Sequence, residues 1–272
     1  MFRLSRGEPI VPLRPSNFPL RRLRLVILAG VAAAVITGCA SNPTTTGSVG
    51  GPDFTSQSGG QRAQALTQLS AQYKKNPKDR NTTLYYAAAL RANGQPEQAI
   101  AVLENGVSEH RNDPAMMVAY AKALSAGGRF EQALTVVEGA IDPTAPDWNA
   151  LLVKGAILDQ MGKTEEARKT YALGLKIAPN QPSLYANLGL SYAMTNELVL
   201  AEATLRKAVS LPGANSQIRQ NLALVIGLQG RFDEARALFA AELPPEAVES
   251  NMAYVKSLLT QQNRWDRVKA DG

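Results

Sequence analysis

The chain has 272 residues with one cysteine and one histidine, which excludes an intramolecular disulfide and leaves little for nucleophilic or metal chemistry. Its formal net charge is +6, but six arginines (3, 6, 14, 21, 22 and 24) against Glu8 give residues 1–38 a net of +5, so only +1 belongs to the remainder. A nearly neutral remainder lacks the basic face that nucleic acid requires, so nucleic acid is not expected as a partner.

In chain order, the first feature is a basic flank, Arg21, Arg22 and Arg24, followed by an apolar run from Leu25 to Ile36 and then by Thr37, Gly38 and Cys39. That run is too short for a comfortable membrane-spanning helix, and the layout is that of a secretory signal. The residues Ile36, Thr37, Gly38 and Cys39 resemble a bacterial lipobox. The resemblance implies that 1–38 is a lipoprotein signal peptide, that cleavage precedes Cys39, and that Cys39 is acylated. The membrane then becomes a partner through that anchor. Residues 39–60 are rich in Gly, Ser and Thr and cannot repay ordering by burial, so they read as a flexible tether. Its root-mean-square span is on the order of 25 Å.

Next, "QRAQALTQLSAQYKKNP" predicts an N-terminal capping helix within 61–79. From residue 80 the chain repeats. "NGQPEQAI", "GGRFEQAL", "MGKTEEAR", "TNELVLAE" and "QGRFDEAR" align on Ala99, Ala133, Ala167, Ala201 and Ala235, each 34 residues after the last. Five residues before each alanine stands Gly94, Gly128, Gly162, Asn196 or Gly230. Twelve before it stands a small residue: Ala87, Ala121, Gly155, Gly189 or Ala223. Small residues on two helices let their backbones approach, and glycine or asparagine past a helix end takes the left-handed conformation that stops it. Helix starts are expected at Asp113 with Pro114, at Thr164 with two glutamates, and at Ser216.

These units resemble tetratricopeptide repeats over 80–249. In "SLYANLGLSYAMTNELVLAEATLRKAV", Leu188, Gly189, Tyr192, Ala201 and Ala208 stand where the motif wants them, and in "KIAPNQP", which ends the third unit, Pro179 takes the motif's proline. The resemblance implies an all-α tetratricopeptide-repeat solenoid of about five helical hairpins with capping helices, after the signal peptide and tether. The stretch opening at Pro244 and Pro245 predicts a closing helix, with residues 250–272 as C-terminal cap and tail.

Chemistry is sparse. The chain has neither a phosphate loop nor the spacing of a zinc site, and His110 suits a helix C-terminus. Trp148 and Trp265 read as packing residues. No catalytic residue, metal site, cofactor or small-molecule substrate is expected, and the chain is not read as an enzyme. What remains is the surface of the first helices, which in this repeat type line the concave groove. Its expected partner-binding residues are Leu84, Ala88, Val118, Lys122, Leu152, Ala156, Asp159, Ala186, Leu190, Met194, Leu224 and Leu228. Only Lys122 and Arg91 are basic there, so the groove is expected to be mainly apolar, increasingly so toward the C-terminal units, and to take an apolar helix or extended segment. The Leu positions read equally well as packing between hairpins.

Four longer stretches, "APDWNALLVKGAILDQMGKTEEARKTY", "NLGLSYAMTNELVLAEATLRKAV", "QNLALVIGLQGRFDEARALF" and "LPPEAVESNMAYVKSLL", resemble the TadD family, the tetratricopeptide-repeat lipoproteins of the Tad (tight adherence) Flp pilus assembly system. That resemblance implies an outer-membrane lipoprotein on the periplasmic face that assists the secretin pore, much as pilotins do, with secretin and other pilus-assembly proteins as partners. Ala40 after the acylated position, rather than aspartate, is consistent with outer-membrane delivery. A general periplasmic adaptor that recruits cell-wall enzymes stays open as the alternative.

Overall fold

The computed structural model describes residues 59–270, with side chains as far as residue 260, and all regular structure among them is helical. The leader 1–38, Cys39, the tether as far as residue 58 and the side chain of Trp265 lie outside the described residues. The helices are α1 (Gly59–Lys75), α2 (Arg80–Ala92), α3 (Pro96–Glu109), α4 (Pro114–Ala126), α5 (Phe130–Gly139), α6 (Trp148–Gln160), α7 (Thr164–Ile177), α8 (Pro182–Met194), α9 (Leu198–Ser210), α10 (Ser216–Leu228), α11 (Phe232–Ala240) and α12 (Pro245–Ala270). From α2 to α11 they pair into five hairpins; α1 covers α2, and α12 packs on α10 and α11 as a sixth first helix would.

Two boundaries move. Helix α1 already includes Gly59 and Gly60, which the composition assigned to the tether. The division between repeats and cap at 249/250 falls inside α12, because Pro245 opens that helix and no breaker follows it.

Helix starts obey a rule that the sequence showed only in part. Asp79, Asp113, Asp147 and Asn215 cap α2, α4, α6 and α10, each side chain accepting a hydrogen bond from a first-turn amide. They share the 34-residue phase, and the missing member, Gln181, makes no such bond but precedes Pro182. Ser216 is therefore the first helical residue and Asn215 the cap. Thr164 likewise opens α7 without capping it, since Lys163 holds the cap position with no side-chain bond.

Within each hairpin the turn is set by the left-handed residue. Gly94, Gly128, Gly162, Asn196 and Gly230 have φ of 71°, 76°, 76°, 65° and 82°. Each lets the next amide bond back to a carbonyl five residues earlier, as in Gln95 to Leu90 and Glu197 to Tyr192, closing the helix end. The five phased alanines of the second helices are fully buried, and so are Ala121 and Ala223 opposite them. Backbones approach most closely in the two hairpins with glycine opposite, α6–α7 and α8–α9. A Cβ on Gly189 would lie 2.7 Å from Leu205 Cγ.

Each first helix also touches the next first helix, whereas successive second helices barely meet. A row that is close on one side and splayed on the other curves, with α2, α4, α6, α8, α10 and α12 on its inner face. Burial follows the same linear plan, in three successive clusters rather than one core.

Candidate functional site

The inner face is the surface on which the twelve candidate groove residues were expected, and the structure sorts them by burial. Leu84, Val118, Ala186 and Leu224 are buried, so most of their area is already spent on neighbouring helices. Leu152 packs beside Trp148 in the middle cluster, and Leu228 joins the C-terminal one. Ala88, Lys122, Ala156, Leu190 and Met194 stay half-buried along the first helices, with area left for a partner.

Asp159 does not present its carboxylate to the groove. It is 4 % exposed, and its oxygens accept from Tyr171 Oη at 2.9 Å and Ser191 Oγ at 2.8 Å. Burial pushes its pKa up to about 6; the bonds from Ser191 and Tyr171 and the charge of Arg168 oppose that rise without cancelling it. The side chain turns inward because Gly155, one turn earlier on α6, leaves the space that Tyr171 fills.

Four candidates do come together. Leu84, Ala88, Val118 and Lys122 line one cleft between α2, α4 and α6, joined by Arg91 and Asn149. Its volume is about 30 Å³, far below what a drug-sized ligand needs and suited to part of one side chain. Lys122 Nζ donates to Asn149 Oδ1 at 3.2 Å. Burial, and after it the charge of Arg91, draws the Lys122 ammonium down to about 8 against the pull of Asp147. Sequence reasoning passed over Asn149. The available signal was its place in the first turn of α6, one turn-length from the groove row.

The C-terminal end is less apolar than expected. Gln217, Gln220, Asn221, Asn251 and Tyr254 surround a second small cleft beside Leu224 and Phe239. Gln220 bonds Ser216 while its Oε1 has no partner among the described residues. Gln220 holds the same 34-residue phase as Leu84, Val118 and Ala186, so the sequence already showed part of this polarity; Gln217 and Asn221 beside it on α10, with Asn251 and Tyr254 on α12, supply the rest. His110 holds a structural contact, with Nε2 2.9 Å from the Lys78 carbonyl at the end of α3. Among the described residues no group of three His, Cys, Asp or Glu side chains could hold a metal ion, and no helix is long and apolar enough to cross a membrane.

The stacked hairpins, phased alanines and left-handed turns define a tetratricopeptide-repeat protein, and the family comparison agrees. Tetratricopeptide repeat profiles match residues 58–116, 90–154, 149–181 and 219–241, together more than half the chain, which belongs to that family. Among solved structures it is similar to a thermophilic tetratricopeptide-repeat protein of Thermus thermophilus. That pair is 24 % identical over 68 % of this chain and 99 % of the other, with a TM-score of 0.57. It is also similar to a tetratricopeptide repeat protein of Parabacteroides merdae, at 13 % identity over 72 % and 78 %, with a TM-score of 0.63. At these identities the likeness is one of fold. No curated protein matches the sequence. The repeats mark a protein-interaction scaffold, and no catalytic family is indicated.

Proposed function

We propose that this protein is a non-enzymatic interaction scaffold, lipid-anchored through Cys39 at the periplasmic face of the outer membrane, that serves Tad/Flp pilus assembly by assisting the localisation or assembly of the secretin. The observation that carries the scaffold is the unbroken inner face of first helices, on which half-buried side chains recur from Ala88 to Met194. The anchor rests on the placement of the only cysteine after an apolar run with a basic flank, and the pilus assignment on the four stretches that resemble the TadD family.

The test is capture of partners from cell-envelope extract by the full chain and by Leu190→Glu/Met194→Glu. A glutamate pair would set unpaired charge against an apolar partner, at a cost of several kcal/mol. The expected result is secretin in the wild-type capture and its loss from the variant, with an unchanged thermal melt. Leu224 is unsuited to this purpose, since at 6 % exposure its replacement would test folding. Capture of cell-wall hydrolases in place of secretin would favour the general adaptor, and undiminished capture by the folded variant would remove the inner face from the mechanism.

A further inference from the structure

Helix α5 stops about one turn short of its neighbours, and the shortfall uncovers part of the outer face, the face formed by the second helices. It has 10 residues where α3 and α7 have 14. The chain turns away because Asp142 precedes Pro143 and accepts from the amide and the hydroxyl of Thr144, a closed turn that a helix cannot enter. Gly139, the last residue of α5, holds the 34-residue phase of Leu173 on α7. Arg168 turns one flank of α7 to Ser191 and Thr195 of the next hairpin, so Leu173 and Ile177, on the opposite flank, face the side where α5 has ended. They adjoin at one helical turn, and both are 43 % exposed.

Charge separates this patch from the other exposed apolar pair. Val199 and Leu200 at the start of α9 are more exposed, at 77 % and 49 %, but the repeat phase puts Glu165 and Glu166 beside them on α7, and Asp233 and Glu234 on α11. Around Leu173 and Ile177 the sign is reversed. From Ala167 to Asn196 the sequence has no acidic residue. Lys169 and Lys176 stand on the same exposed face of α7, and Lys207 on α9 repeats the phase of Leu173. None of these three lysines has an ion pair among the described residues. Apolar side chains framed by free lysines suit an anionic lipid surface: leucine and isoleucine enter the headgroup boundary, while the lysine stems follow and their ammonium groups stay with the phosphates.

We propose that this patch, Leu173 and Ile177 with Lys169, Lys176 and Lys207, rests on an anionic membrane surface. The chain ahead of α1 supplies the reach, since residues 39–58 extend at most about 70 Å. Helix α1 packs on α2 as a second helix would, so the chain toward Cys39 leaves from the outer row, to which α7 belongs. The contact adds a second, charge-dependent attachment to the acyl chains, and two signals hold a protein at a bilayer where one is marginal. It also orients the body. With the outer face on the bilayer, the inner face is turned away and stays open to a partner segment. The proposal uses the anchor of the proposed function as the tie to the membrane, and neither the pilus assignment nor the groove enters it.

The test places the photo-crosslinker benzoylphenylalanine at Ala172, on the same exposed face, or at Ala101, exposed on α3. The full chain is reconstituted into phosphatidylethanolamine vesicles with or without phosphatidylglycerol, illuminated and read by mass. A lipid adduct is expected at Ala172 when phosphatidylglycerol is present, and not at Ala101. Lys169→Gln/Lys176→Gln/Lys207→Gln should lower its yield about tenfold or more. Leu173→Ser/Ile177→Ser should lower it too, Val199→Ser/Leu200→Ser should leave it unchanged, and all three variants should melt with wild type. Flotation of the same samples reads the anchor separately. A chain that floats with the vesicles but gives no adduct at Ala172 would overturn the surface alone, and a chain that does not float would overturn anchor and surface together. Equal adducts at Ala172 and Ala101, or a yield indifferent to phosphatidylglycerol, would overturn the oriented contact. Illumination of intact cells decides between occupants: an adduct to another protein, or to a second copy of this chain, in place of lipid would overturn the membrane assignment.

Discussion

Tyr171 Oη of α7 donates a 2.9 Å hydrogen bond to Asp159 Oδ2 of α6, so the third hairpin is closed over a buried carboxylate. Ser191 of α8 donates to the other oxygen, carrying the link into the next hairpin. The arrangement satisfies the carboxylate geometrically, yet burial still disfavours its charge.

Asp159→Asn should therefore stabilise the fold at neutral pH. Its folded-state pKa of about 6 lies above the ordinary value of 3.8, so the fold binds a proton that the unfolded chain releases. Stability from this group is fully present below pH 3.8 and is lost as pH rises toward 6. Asparagine, which keeps hydrogen-bonding capacity toward Ser191 and Tyr171, removes that loss. The gain above pH 6 is bounded by roughly 3 kcal/mol and should vanish near pH 4. Melts of wild type and variant across that range check it; a gain that is constant with pH would refute the buried-charge account.

Gly155→Ala should destabilise the same hairpin, because the added Cβ would lie 2.4 Å from Tyr171 Cε1, and Tyr171 is 1 % exposed with no free direction to move. Overpacking of this kind costs about 1–3 kcal/mol. Adding Tyr171→Leu should recover part of that loss, a coupling that a double-mutant cycle in urea measures.

At the fourth turn, Asn196→Gly should leave the melting temperature unchanged or slightly raised, since Asn196 sits at φ 65° in the place glycine holds elsewhere. Asn196→Val should lower stability by about 1–2 kcal/mol through the clash of a branched side chain in that conformation. Equal melts for the two variants would contradict the turn geometry.

Glu202 ties the fourth and fifth hairpins together. Burial opposes its charge, but hydrogen bonds from Gln229, Arg231 and Arg206 overcome that and hold its pKa at about 2. A pKa below the ordinary value of 4.5 means stability present above pH 4.5 and lost as pH falls toward 2. Glu202→Gln should accordingly flatten the acid limb of the pH–stability curve; an unchanged limb would mean the network is solvated away.

Cys39→Ser is expected to leave an unprocessed, unacylated precursor. Acyl chains add about 0.8 kcal/mol of membrane affinity per buried CH₂, whereas the tether's composition offers none. Labelled-palmitate incorporation and the apparent mass in cell fractions check this, and an acylated, processed serine variant would overturn the lipobox reading.

The 34-residue phase, the buried alanines and the left-handed turns were legible because each depends on a residue's own steric limits. Glycine or asparagine at φ near 70°, and alanine where two backbones meet, are requirements of local geometry that any neighbour must respect. The caps were legible too: Asp79, Asp113, Asp147 and Asn215 repeat in phase, although only Asp113 stood out before the fold was in view.

The inner face was not legible in that way. Register alone put Asp159 in the groove, but Tyr171 and Ser191, from two other helices, turn it inward. Register also treated Leu190 and Leu224 as equivalents, yet the C-terminal cluster buries Leu224 while Leu190 keeps open area. Asn149 reaches Lys122 across 27 residues of chain only because α4 and α6 lie side by side. A side chain's exposure and partners are set by what the neighbouring hairpins place against it, and a repeat's own phase carries no information about how its neighbours differ.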